Sequence, residues 1–133
     1  MTIKEWLRQY RAALIMAERC FQELDKADVL IRSPAMTGMP RGNNERDLAD
    51  VVAMRERIYK RAEEARRKAL VLMDEIQEAI DRVPSMEHRT LLTLRYISCL
   101  RWDDIAVCMC YSVRQVHRMH GAALQMLAHN VTQ

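Results

Sequence analysis

The sequence predicts an all-α fold: a long N-terminal helical hairpin, coiled-coil-like, followed by a compact three-helix helix-turn-helix domain. Three observations predict it. The composition holds 3 Gly and 3 Pro beside 10 Met and only 5% aromatic residues, a balance that favours helix over sheet. Apolar residues recur at alternating steps of three and four over residues 1–83, then give way to shorter runs over 84–133. The breaks between runs fall on proline, glycine and serine, the residues that stop or cap helices. With 133 residues, 50% apolar and 29% charged, the chain can bury one modest core.

The first helix starts at Thr2 and Glu5, the spacing of a capping box in which each side chain satisfies an amide at the other's position. Ile3, Trp6, Tyr10, Ala13, Ala17, Cys20, Leu24, Ala27 and Ile31 then share one face, broadened by Leu7, Leu14 and Phe21. The segment SPAMTGMPRGNN, residues 33–44, combines two prolines with two glycines and predicts a loop that reverses the chain, with Asn43 or Asn44 capping the second helix. From Leu48 the face continues through Val51, Ile58, Ala62, Ala65, Ala69, Leu72, Ile76, Ala79 and Val83, interrupted by Arg55. At a rise of about 1.5 Å per residue this second helix approaches 60 Å. The basic stretch RERIYKRAEEARRKA reads as a solvated face, because Glu56 with Lys60, Glu63 with Arg67 and Glu64 with Lys68 stand at the favourable spacing of four.

Pro84 and Ser85 end that helix and start another. Three short helices are predicted, over 85–97, 101–109 and 112–130, with turns at 98–100 and 110–111. Ser112 and Gln115 repeat the capping-box spacing. The helical period turns Ile105, Ala106 and Met109 inward against Val116, Ala123, Leu124 and Leu127, with Leu91, Leu92, Leu94 and Ile97 closing the core. The last two helices then have the dimensions of a helix-turn-helix. Arg114, Gln115, His117 and Arg118 project from the first turns of the last helix and are the candidate base-reading groups, able to donate to guanine or pair with adenine edges. The helix starts near Trp102 and Ser112, with Arg101 and Arg89, are the candidate phosphate anchors.

The run LLTLRYISCLRWDDIAVCMCYSVRQVHRMHGAALQML, residues 91–127, resembles the helix-turn-helix of region 4 in bacterial sigma factors. The positions that carry the resemblance are Leu94, Arg95, Tyr96, Asp104, Ile105, Ala106, Ser112, Val116, Ala123 and Leu124. The whole chain is similar to small phage and prophage transcriptional regulators of the ArpU and RinA kind. The resemblance implies transcription regulation in a phage or prophage of a Gram-positive bacterium, with RNA polymerase as a second partner. Together with the spacing, it suggests that Arg95 and Asp104 form a salt bridge bracing two helices. No segment resembles the promoter-melting region of a full sigma factor. Cys99 and Cys110 stand at turn positions where such proteins often carry glycine, and a non-glycine residue held left-handed there costs of order 1 kcal/mol. Gly121 falls inside the last helix, which suggests close packing or bending there.

The expected function is sequence-specific recognition of double-stranded DNA by a homodimer joined through the long helices. Two other readings stay open: a small-terminase-like subunit that recognises DNA for packaging, and a helical protein–protein adaptor that does not bind DNA. No phosphate-cradling glycine loop and no nucleophile elbow is present, so an enzyme is not expected and no cofactor is implied. Cys108, Cys110, His117 and His120 depart from the usual structural zinc spacings, so no metal site is expected. No apolar run is long enough to span a bilayer, MTIKEWLRQYR lacks a signal peptide's apolar stretch, and the cysteines form no disulfide framework. A cytoplasmic protein without membrane association is expected.

Overall fold

The computed structural model describes residues 1–32 and 44–131. The chain is all-α. Its elements are α1 (Ile3–Arg32), α2 (Asn44–Asp81), α3 (Met86–Leu92), α4 (Trp102–Met109) and α5 (Val113–Val131), with a wider π-type turn over Thr93–Ile97 after α3. The loop expected over 33–44, with its asparagine cap, lies outside the described residues up to Asn44, where α2 begins. No helix among the described residues is long and apolar enough to cross a membrane.

The chain divides into two compact units, one of residues 13–68 and one of residues 1–12 with 69–133. The division cuts both long helices, so the base of the hairpin belongs with the C-terminal helices. In the hairpin unit, α1 buries Ala17, Cys20, Leu24 and Ala27, and α2 buries Ala62. These are the expected heptad positions, and most are small. Leu14 is exposed and does not broaden the stripe as expected. Arg55, which interrupts the apolar pattern, reaches across to α1 and pairs with Asp28. None of the three expected pairs along α2 forms among the described residues; Glu63 pairs with Arg66 instead, at 3.8 Å.

The other unit opens on the Thr2–Glu5 capping box, in which Thr2 N donates to Glu5 Oε2 at 2.7 Å and Glu5 N donates to Thr2 Oγ1 at 3.2 Å. Leu7 and Tyr10 from α1, and Ile76, Ile80 and Val83 from the end of α2 and just after it, are buried. Ser85 caps α3 by accepting from His88 N. Leu91, Ile105, Ala106 and Val116 form the heart of the C-terminal core, with Leu94, Trp102 and Met109 packed against them. Ala123, Leu124 and Leu127 are buried along α5. The inward face expected from periodicity is therefore the face that is buried.

Candidate nucleic-acid interface

The geometry of α4 and α5 derives from the turn between them. α4 ends in a Schellman-type reversal: Tyr111 N donates to Ala106 O at 3.0 Å and Cys110 N to Val107 O at 3.3 Å. Cys110 sits in the left-handed region at φ 60°. Cys99, after the π-type turn, is left-handed too, at φ 57°. Both cysteines thus hold the backbone geometry for which glycine is the low-cost residue. Tyr111 OH donates to Glu87 at 2.8 Å, tying the turn to the start of α3. That bond to a carboxylate, which the phenol loses on ionising, raises the Tyr111 pKa.

α5 starts with the expected box. Ser112 N donates to Gln115 Oε1 at 3.0 Å, and Gln115 N donates to Ser112 Oγ at 3.2 Å. The helix is 19 residues long and contains no acidic residue. Val116 is buried, whereas Arg114, His117 and Arg118 are exposed. Neither Arg114 nor Arg118 has an ion pair among the described residues.

Four of the expected groups already have partners within the chain. Gln115 is exposed, but its amide oxygen already accepts from both Ser112 N and Ser112 Oγ. Two-sided pairing with adenine would require breaking the cap, because that pairing uses both ends of the amide. Ser112 is likewise taken up by the box, which leaves neither its amide nor its hydroxyl free for phosphate. Arg89 donates from Nη1 to Val83 O at 3.1 Å, so one of its donors closes off a carbonyl past the end of α2. The Arg95–Asp104 salt bridge does not form: Arg95 donates to Leu100 O at 2.9 Å and lies over the Trp102 ring at 4.3 Å. Asp104 is exposed in the first turn of α4, where the helix dipole already favours a carboxylate.

Trp102 is the centre of a stack that periodicity does not reveal. Its ring lies 4.6 Å from the rings of both His117 and His120, on the side chains of α5 that face α4. His120 is buried and shares a 2.7 Å hydrogen bond with the hydroxyl of buried Tyr96. Burial first, then the positive charges of Lys4 and Arg95, push the His120 pKa down to about 4. His120 is thus a neutral core group, and the Tyr96–His120 bond joins the π-type turn to α5. Arg95, Arg101, Trp102, Asp103, Val113 and His117 line an open cleft of about 330 Å³ at the start of α4. Arg101 is exposed there and caps α4 without a side-chain bond. Asp103 and Asp104 place negative charge in the same first turn, which disfavours a phosphate at the Trp102 amide.

Gly121 is exposed, and a Cβ built there meets nothing within 4 Å, so the expected close packing is absent. Among the described residues no three His, Cys, Asp or Glu side chains group to hold a metal ion. Cys108 and Cys110 are exposed free thiols.

The described residues define an all-α protein in which two long helices precede three shorter ones. Residues 30–128 match the family model described as protein of unknown function (DUF1492), and the chain belongs to that family. No curated protein and no solved structure matches it.

Proposed function

We propose that the protein is a sequence-specific DNA-binding transcriptional regulator that reads the major groove with α5 and acts as a homodimer joined through its long helices. The observation that carries this reading is α5 itself. One face is anchored in the core through Val116, Ala123, Leu124 and Leu127, while the other exposes Arg114 and Arg118 on a helix without acidic residues. A cationic helix face opposite an anchored one suits the negatively charged groove, where arginine donates to guanine O6 and N7. His117 lies on the same turns, with one side of its ring against Trp102, and Arg101 is the exposed cation flanking them. The resemblance to sigma region 4 and to phage and prophage regulators supports transcription as the process and a cytoplasmic setting. It adds RNA polymerase as a second partner.

The test is a mobility-shift assay with host and phage genomic fragments, using the whole chain and its Arg114→Ala and Arg118→Ala variants. Each substitution is expected to weaken specific binding by about 1–3 kcal/mol, roughly 5- to 150-fold, without altering the helical circular-dichroism signal. Absence of binding at low salt, or unchanged affinity in both variants, removes the groove-reading role of α5.

A further inference from the structure

Residues 1–12 belong to the same compact unit as α3 to α5, and Leu7 and Tyr10 are buried in it. Lys4, Arg8 and Arg11 stand at steps of four and three, so they share one side of α1, and all three are exposed. Glu5 is the one acidic residue of this stretch, and its carboxylate is taken up by the Thr2 amide. The other acids of α1, Glu18, Glu23, Asp25 and Asp28, all lie further along, in the hairpin unit. None of the three cations has an ion pair among the described residues. Lys4 and Arg8, with Arg95 from the π-type turn, lie close enough to the buried Tyr96–His120 bond to disfavour a proton on that imidazole. Arg95 in turn lines the cleft that it shares with Arg101, Val113 and His117, and Val113 precedes Arg114. Positive groups therefore run from the start of α1 past Arg95 to the start of α5, with Asp103 as the single acid in the cleft wall. Like charges at the spacing of Lys4 and Arg8 repel each other along a helix, a cost that an external polyanion reverses.

We infer that the start of α1 is a second DNA-binding element, in which Lys4, Arg8 and Arg11 hold the phosphodiester backbone of the same duplex whose groove α5 reads. The inference rests on the DNA-binding role proposed above and adds to it the element that supplies affinity without sequence preference. From Lys4 to Arg11 this side of α1 extends about 10 Å, a length over which one strand of a duplex carries about three charges. Three exposed cations without acidic neighbours on that side match such a row. Contacts of this kind fix where the protein sits on the duplex and are the same for every sequence, whereas Arg114 and Arg118 on α5 discriminate between base edges.

Fluorescence anisotropy of the whole chain tests it, with one labelled duplex selected from bound genomic fragments and one scrambled duplex, each titrated between about 50 and 200 mM salt. The double variant Lys4→Gln, Arg8→Gln should weaken binding to both duplexes alike. It should also lower the slope of log K against log salt by about 2, roughly 0.9 for each lost phosphate contact. Adding Arg11→Gln should lower the slope by about one more. Arg19→Gln with Lys26→Gln removes the same charge from exposed positions of the hairpin unit and should leave the slope unchanged. The charge-keeping exchange Lys4→Arg, Arg8→Lys should keep the wild-type slope. An unchanged slope in the glutamine variants, an equal fall in the hairpin control, a lowered slope in the charge-keeping exchange, or a loss confined to the selected duplex would each overturn the assignment. A wild type that binds neither duplex at low salt would overturn it together with the groove-reading proposal. A slope that falls as expected while Arg114→Ala and Arg118→Ala change nothing would overturn groove reading alone and leave α1 on the DNA.

Discussion

The hairpin of residues 13–68 and the unit carrying α3 to α5 use similar helix-forming residues but divide them differently between inside and outside. The C-terminal unit buries Ile76, Ile80, Leu91, Leu92, Ile105, Val116 and Leu127 completely. The hairpin buries mainly small side chains and leaves Val29, Leu30, Leu48 and Val52 about half or more exposed. Burial of a large aliphatic side chain contributes roughly 1.5–3 kcal/mol, so the C-terminal unit carries its own stabilisation. The charges divide in the same way. α2 interleaves acidic and basic residues along its length, as a solvated helix does, whereas α5 keeps only positive ones. Regular periodicity alone therefore does not tell a stripe that buries large side chains from one that buries small ones; side-chain size along the stripe does.

The strongest way to break this contrast is a cavity in the larger core. Ile105→Ala should lower the stability of the protein by roughly 4 kcal/mol in urea unfolding, because Ile105 is fully buried among Leu91, Ala106 and Val116. A loss below about 1 kcal/mol would mean that the core does not hold α4 against α5.

A pH titration sharpens it next. His120 is neutral when folded, with its pKa pushed from 6.5 to about 4 by burial and by Lys4, Arg95, His117 and Arg8. Its contribution is fully present above the unfolded value of 6.5. As the pH falls toward 4, the unfolded chain takes a proton that the folded one refuses, and stability drops by at most about 1.4 kcal/mol per pH unit. His120→Gln removes this titration while keeping a partner for Tyr96. The unfolding midpoints of the two proteins should diverge between pH 7 and pH 4.5, the variant losing less; parallel profiles would place the imidazole in water.

The smallest effects concern the backbone. Gly121→Ala should raise stability by about 1 kcal/mol, because the added methyl meets open space and alanine favours the helix. Cys110→Gly should add a similar amount by relieving the left-handed turn. Each is read as a rise of a few degrees in the melting temperature. A fall for Gly121→Ala would mean that α5 packs on something at that position.

The fold is legible in the sequence because its signals are local. Both capping boxes and the core positions of α4 and α5 rest on spacings of a few residues, whereas the left-handed cysteines are anticipated only through the resemblance to sigma region 4. Less legible is where a long side chain ends. Arg95 could reach several acceptors, and it takes the Leu100 carbonyl and the Trp102 ring because the turn at Ser98–Cys99 brings both within reach. Arg89 meets the carbonyl left open beyond α2, which periodicity cannot anticipate. Gln115 fits the same pattern both as a cap and as a base reader, and its one amide oxygen serves only the first. Arg55 looks like a fault in the stripe until the opposing helix supplies Asp28.

The aromatic stack around Trp102 carries an optical consequence. Its indole is held by the Arg95 guanidinium and two imidazoles, one from each of two successive turns of α5. Any tilt of α5 away from α4 changes the electric field across that ring. Once Trp6 is replaced, the emission colour of Trp102 is thus an internal gauge of how firmly α5 is seated on α4, available without attaching a dye.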